Sequence, residues 1–309
     1  MVNNIKEENT VIMQGIHFMM PTPFNLDGSV DLSSIVNLVS VAKSAKCTGV
    51  VCLGVTGEAI KLTDIERKII VEEVMKHAVA NQLSVTVGTS GNSNEMLISR
   101  SQEAQDLGAN AIMVAPPQML RPNLEKVEQL YNALISHVNL PVVIQDYPKE
   151  TNVIMPPSFI KKLNDSSPLM KYLKLEDPPT PQKVSSVLAL TGDKMEVFGG
   201  LGGLFLLEEL MRGAKGTMTG FAYPNILVEI FNRVVNKNFI QASEIFYKYL
   251  PIIRYEAQEG IGLAIRKEIL YKRGILKTAF VRQPGPQIDD ITRLELDELM
   301  TKLVMKDFD

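Results

Sequence analysis

The sequence predicts an α/β fold: a (β/α)8 barrel of eight parallel strands, with a C-terminal helical extension. Three observations predict it. Short β-branched runs alternate with longer amphipathic stretches along the first 220 residues, eight such runs can be counted, and beyond residue 220 only helical patterns remain. Strand–helix–strand alternation requires parallel strands, because each crossover helix returns the chain to the same edge of the sheet. Residues 15 to 220 hold the eight units in 206 positions, about 26 per unit, which suits a (β/α)8 barrel of ~250 residues. A doubly wound open sheet gives much the same alternation, so the pattern alone leaves that alternative open.

The strand runs lie at 15–20, 49–54, 84–89, 111–115, 141–147, 171–176, 195–200 and 216–220. Amphipathic stretches between them include 32–45, 64–79, 94–107, 124–138 and 203–211. Apolar residues there recur at three and four, as Ile65, Ile69, Ile70 and Val74 do. Asp31, Thr63, Ser93 and Asn123 stand immediately before four of the stretches, where a side-chain oxygen can accept from first-turn N–H groups. After the last strand, 224–235, 239–255, 260–273 and 291–305 read as helices. The chain divides into a barrel over 1–222 and an extension over 223–309 packed on it.

Composition excludes several classes. The 309 residues carry 32 Lys and Arg against 35 Asp and Glu, a net charge of −3, which argues against a nucleic-acid or anionic-membrane surface. No stretch approaches the ~20 apolar residues of a membrane span, and the N-terminus has no apolar core of signal-peptide length. The two cysteines, Cys47 and Cys52, can make neither a disulfide framework nor a four-ligand zinc site, and read as small buried apolar residues. His17, His77 and His137 show no metal-ligand spacing. The expectation is a cytoplasmic protein with no cofactor or metal and no nucleic-acid or membrane partner.

Chemistry in a parallel barrel collects at the C-terminal ends of the strands. The second run ends Gly54-Val55-Thr56-Gly57-Glu58, a tight turn whose N–H groups can receive a carboxylate or phosphate, though plain turns of this kind are common. The sixth reads Tyr172-Leu173-Lys174-Leu175-Glu176. Alternation puts Tyr172, Lys174 and Glu176 on one face and the leucines on the other, toward the surrounding helices. Lys174 then points into the barrel. There it is either half of an ion pair with Glu176 or an amine able to attack a carbonyl and form a Schiff base. The fifth run ends Gln145-Asp146-Tyr147-Pro148, with Gln145 and Tyr147 sharing a face. The seventh ends in the glycines around Gly200, which either bind phosphate or clear space above Lys174.

Taken together, Thr22-Pro23-Phe24, Asp31, Gly54-Val55-Thr56-Gly57-Glu58, Leu62, Glu66-Arg67, Pro116, Pro148, Lys174 and Gly213-Ala214-Lys215-Gly216 resemble the dihydrodipicolinate synthase / N-acetylneuraminate lyase family. The resemblance runs from about residue 15 to 235 and loosely to the end. It implies the barrel rather than the open sheet, a Schiff base on Lys174, a substrate carboxylate held at Val55, Thr56 and Gly57, and Gly200 near the substrate. It also implies a homotetramer or homodimer. The sequence departs from the family's pattern at informative places. Val55 replaces one of two hydroxyl residues, Gln118 and Gln145 replace two tyrosines, and Glu150 falls where the synthases have an arginine. A proton relay of Thr and two Tyr cannot run through Val and Gln, which do not titrate. What remains resembles the branch that dehydrates 2-keto-3-deoxy sugar acids, through Gln145-Asp146-Tyr147-Pro148, Lys174-x-Glu176 and Gly216-Thr217-Met218-Thr219-Gly220.

The expected function is a Schiff-base lyase acting on a 2-oxo-3-deoxy sugar acid, with dehydration favoured. The alternatives are an aldolase that cleaves C3–C4 and releases pyruvate, and a sugar-acid-binding protein without catalysis. Lys174, Glu176 and Tyr147 are the expected catalytic residues. Val55, Thr56, Gly57, Gln118, Gln145 and Gly200 are expected to contact substrate. Glu176 is the expected proton-transfer partner, with substrate held between it and Lys174 in a ~6.6 Å gap between their Cα positions, and Tyr147 is its rival.

Overall fold

The computed structural model describes residues 13–305; residues 1–12, on which most of the N-terminal reading rests, lie outside it. Eight strands, β1 (Gly15–Met19), β2 (Gly49–Cys52), β3 (Ser84–Gly88), β4 (Ala111–Val114), β5 (Val142–Asp146), β6 (Tyr172–Leu175), β7 (Glu196–Gly199) and β8 (Gly216–Thr219), pair in parallel in chain order. β8 returns to β1, with Gly15 opposite Gly216 and Phe18 opposite Thr219, so the sheet closes. The open-sheet alternative is thereby excluded. Most predicted runs overshoot by one or two residues at their C-terminal ends, where the chain leaves the ladder toward the mouth.

The surrounding helices are α1 (Leu32–Ser44), α2 (Asp64–Ala80), α3 (Asn94–Asp106), α4 (Leu124–Ile135), α5 (Pro148–Thr151), α6 (Pro157–Ser166), α7 (Thr180–Thr191), α8 (Leu206–Met211) and α9 (Pro224–Val235). Asp31, Thr63, Ser93 and Asn123 cap their helices as expected, Thr63 in a reciprocal capping box with Glu66. Helices α6 and α7 are not among the stretches named from periodicity. Each has proline in its first turn, where the missing N–H costs nothing. The stretch read as a helix over 203–211 starts at Leu206, because Gly202 and Gly203 turn at φ 71° and 85°. α10 (Phe239–Glu256), α11 (Gly262–Lys272) and α12 (Asp290–Lys302) form the extension. α9 packs on β1, α1 and α8, so it belongs to the ring of barrel helices although it lies beyond the 222/223 division.

The core has two parts, set by strand parity. Outward residues such as Leu173, Leu175, Ile112 and Ile144 join the helices in one continuous apolar sleeve. Each fully buried Leu or Ile there contributes about 1.5–3 kcal/mol. Inward residues Met13, Met19, Val51, Ala111, Met113, Val143, Tyr172, Phe198 and Met218 form a separate plug. His17 sits in that plug, edge-on to Phe198 with ring centroids 5.6 Å apart. Burial pushes its imidazole down to about 4, so it is neutral at physiological pH. With the interior filled, the barrel is open to chemistry at its C-terminal mouth. No helix among the described residues is long and apolar enough to cross a membrane.

Candidate active site

Lys174 and Glu176 come together at that mouth. Register pairs Gln145 on β5 with Lys174 on β6, and the Glu176 N–H donates to the Asp146 carbonyl at 2.9 Å, carrying the β5–β6 pairing one step past the strand. Parity then directs Gln145, Lys174 and Glu176 inward together. Lys174 is 2% exposed and Glu176 7%. Lys174 Nζ lies 3.0 Å from Glu176 Oε2 and donates to the Met19 sulfur at 3.1 Å. Gln145 Nε2 donates to the same Oε2 at 2.8 Å, and the Leu201 N–H reaches Oε1 at 3.4 Å. The amine and carboxylate are in direct contact, rather than separated by the substrate-sized gap read from strand spacing. Extended backbone fixes the Cα separation, but both side chains lean toward each other to neutralise buried charge.

Gly200 is explained by this arrangement. A Cβ there would fall 2.5 Å from Glu176 Cγ, so a larger residue would displace the carboxylate. Tyr147 is half-buried at the N-cap of α5. Burial, then the Glu176 and Glu150 carboxylates, push its phenol up to about 12. It is therefore a hydrogen-bond donor at neutral pH and a poor base. Gln118 is exposed on the loop after β4 and makes no hydrogen bond with the other residues of this constellation. Glu150 is exposed on α5.

The turn after β2 is a single 3-10 turn, Val55–Gly57. Its geometry corrects one detail of the expectation. The Gly57 N–H is bonded to the Gly54 carbonyl at 3.0 Å and does not face outward. The Gly57 carbonyl accepts from Thr22 Oγ1 at 2.6 Å. The first N–H groups of a helical turn have no partner within it, which leaves Val55 and Thr56 as the donors. Thr56 Oγ1 is buried without a partner, while Val55 is 45% exposed. A carboxylate arriving here would meet these groups.

Sequence reasoning quoted Glu58 but gave it no role. It is 3% exposed, in the left-handed region at φ 52°, and accepts from Lys267 of α11 at 2.5 Å and from the Arg282 N–H at 3.1 Å. Lys267 is fully buried over the Phe24 ring, and burial pushes its ammonium down to about 8 despite Glu58. The extension thus anchors the β2 turn. No sequence signal marks this: Arg266-Lys267-Glu268 in the middle of α11 is a run of consecutive charges, and only the structure shows all three buried.

Behind the strands, Asp146 faces outward against Lys183 of α7 at 2.6 Å, and burial raises its carboxyl to about 6. Glu209 of α8 lies where a Gly199 Cβ would be and accepts from Thr180 Oγ1 at 2.5 Å. Burial raises its carboxyl to about 7. An acid raised in the folded state binds its proton more tightly there. Its contribution is present at low pH and lost as pH rises between the ordinary carboxyl range and about 7. At about 1.4 kcal/mol per pH unit, the wild type is expected to lose on the order of 3 kcal/mol through this group between pH 4.5 and 8. Denaturant unfolding of wild type and Glu209→Gln across that range checks it. The wild type should lose stability relative to Glu209→Gln as pH rises to about 7 and run parallel to it above that, and curves parallel throughout would remove Glu209 from the account.

Among the described residues no three His, Cys, Asp or Glu side chains gather closely enough to hold a metal ion. Cys47 and Cys52 are buried free thiols, each pushed up to about 12 by burial.

The fold and mouth together define a closed (β/α)8 barrel with a buried, strand-borne lysine and carboxylate at its C-terminal end. The profile of the Dihydrodipicolinate synthetase family matches residues 12–303, and the chain belongs to that family of lyases. It is 28% identical over 294 residues to an L-2-keto-3-deoxyarabonate dehydratase of Azospirillum brasilense, covering 94% of each chain. It is 27% identical over 295 residues to a 4-hydroxy-tetrahydrodipicolinate synthase of Methanothrix thermoacetophila, covering 94% of this chain and 97% of that one. The crystal structure of a dihydrodipicolinate synthase from Rhodopseudomonas palustris superposes with a TM-score of 0.87 at 34% identity, covering 94% of this chain and 97% of that one.

Proposed function

We propose that the protein is a Schiff-base lyase that dehydrates a 2-oxo-3-deoxy sugar acid. The observation that carries this is the Lys174–Glu176 pair at 3.0 Å, with Gln145, not a phenol, as the neighbouring donor. Lys174 attacks C2 of the 2-oxo acid, water leaves, and a protonated imine forms. The imine acidifies the C3 hydrogens. Glu176, already beside the nitrogen, removes one of them. The C4–O bond then breaks and the hydroxyl leaves as water, with a proton from Tyr147 or from protonated Glu176. Hydrolysis of the imine frees the product and restores Lys174. The Val55–Gly57 turn holds the C1 carboxylate through the N–H groups of Val55 and Thr56 and the Thr56 hydroxyl. The A. brasilense dehydratase is 28% identical and a family synthase 27%, so the choice of dehydration rests on Val55, Gln118 and Gln145 standing where a relay of Thr and Tyr would be, not on overall likeness.

Aldol cleavage would use the same imine but needs a base at the C4 hydroxyl. A panel of 2-oxo-3-deoxy pentonates and hexonates, with products separated into dehydrated acid, pyruvate and aldehyde, tests the choice. Pyruvate with aldehyde as the main product would replace the dehydratase by an aldolase. No turnover of any member would leave a binding protein.

A further expectation is that condensation of pyruvate with aspartate semialdehyde is negligible. Val55, Gln118 and Gln145 offer no proton relay, and Glu150 puts a carboxylate where an arginine would be needed for an acid group. Robust product in a reductase-coupled assay would return the protein to the synthases.

A further inference from the structure

The extension brings another cation to the mouth. Arg266 on α11 is 5% exposed. Its Nε donates to Glu256 Oε1 at 2.6 Å, and Glu256 Oε2 accepts the Ala222 N–H at 2.9 Å. Both carboxylate oxygens are therefore engaged within the protein. The Nη1 nitrogen of the same guanidinium is buried and has no hydrogen-bond partner. Buried donors of this kind are normally satisfied, because leaving one unpaired is costly.

The position of Nη1 indicates what satisfies it. Met218 faces the barrel interior, so Gly220, two residues on, has the same inward direction at the mouth. A Cβ on Gly220 would lie 2.8 Å from Arg266 Nη1 and 2.6 Å from the Met19 carbonyl oxygen. Met19 is also the residue whose sulfur accepts from Lys174. On the far flank, Leu201 donates to Glu176, and the adjoining Gly202 abuts Ala257, next to Glu256. Lys174 and Glu176 at the end of β6 and Arg266 against the ends of β8 and β1 thus lie around the same C-terminal end of the barrel. The glycine at 220 lets the guanidinium come up to the strand end, where any side chain would collide with it.

We propose that Arg266 selects the substrate by its far end: Nη1 donates to an oxygen on the distal carbons of the sugar acid, beyond the carbons that react at Lys174. This rests on the Schiff-base reading above. Pyruvate, which lacks those carbons, forms the imine without this contact. A longer 2-oxo-3-deoxy acid gains it, and a site built around a buried donor discriminates against ligands that leave the donor unpaired.

The experiment measures half-saturation of borohydride-trapped adduct by intact-protein mass, with pyruvate and with 2-oxo-3-deoxypentonate. It uses the wild type, Arg266→Lys, and the double variant Arg266→Met/Glu256→Gln. The lysine keeps one cation for Glu256 but supplies no second, forked donor. The double variant removes the buried charge pair together, so that no lone carboxylate destabilises the fold. The expected result in both variants is a half-saturation for the pentonate raised roughly ten- to hundredfold, the scale of one hydrogen bond to a charged group, with pyruvate within about twofold of wild type. An unchanged pentonate value, or a rise shared equally by pyruvate, would overturn the selection role while leaving the Schiff-base reading intact. A wild type that yields no pyruvate adduct would overturn the Schiff-base reading and this proposal together.

Discussion

Lys174→Ala is expected to abolish the borohydride-trapped pyruvate adduct and to lower turnover of a 2-oxo-3-deoxy sugar acid by roughly four decades or more, the scale on which a covalent enzyme depends on its nucleophile. The amine is held on a strand, not on a loop. β6 is buried along its whole length, and Leu173 and Leu175 lock its outer face into the helical sleeve. Nζ is fixed by Glu176 at 3.0 Å and by the Met19 sulfur at 3.1 Å. Removing it leaves Glu176 with Gln145 and the Leu201 N–H, so the carboxylate loses a charge partner but not every hydrogen bond. Lys174→Arg separates chemistry from folding. It keeps a cation for Glu176, stays protonated, and cannot form the imine. Intact-protein mass after incubation with pyruvate and borohydride reads all three forms. An adduct of normal yield in either variant would place the Schiff base on another lysine.

Glu176→Gln is expected to retain that adduct while turnover falls ~10²–10⁴-fold, the usual size of a general acid–base contribution. The amide preserves the shape next to Gly200, where a Cβ would already meet Glu176 at 2.5 Å. It removes the basic oxygen that faces Lys174. Tyr147→Phe is the companion experiment. A phenol held at about 12 can give a proton but cannot take one from C3 near neutrality, so its loss is expected to cost less than the loss of Glu176. Single-turnover measurement of adduct formation and product release distinguishes the two steps. Near-normal turnover in Glu176→Gln would move the base to Tyr147 or to water. If the substitution instead prevents adduct formation, Glu176 positions or deprotonates Lys174 and has no separate role at C3.

How legible the site was from the sequence varies residue by residue. Lys174, Glu176 and Gln145 were readable because period-two alternation on adjacent strands is a local rule, and adjacent strands of a barrel carry their inward residues to one mouth. Gly200 was readable as a glycine clearing space, though what it clears is the Glu176 side chain itself. The Val55–Gly57 turn was readable as a turn. Which of its N–H groups are bonded internally was not, since that depends on a 3-10 closure that spacing does not encode. The length of the amine–carboxylate contact was also missed, because backbone rise fixes where two side chains start and charge neutralisation fixes where they end. Gln118 was placed at the site by position after β4, and it stands exposed on that loop.

The sequence by itself determined the eight alternating strand–helix units, and its family resemblance favoured the barrel over an open sheet. Eight alternating runs, four capped helix starts and inward parity on β6 are all short-range patterns; that the sheet closes, satisfying the edges an open sheet would expose, is decided by β8 pairing with β1. Tertiary structure alone decided how the extension serves the mouth. Glu58 and Lys267 meet across 209 residues of sequence, and Arg266 reaches Gly220 from a helix whose consecutive charges suggest a solvated face. Burying those charges is favourable only once partners from other elements converge on them, as Glu256 from the adjacent α10 does on Arg266 and Glu58 from the β2 turn on Lys267. No pattern within one helix specifies a partner two hundred residues away, so this part of the site became visible only when the closed barrel and its extension were seen together.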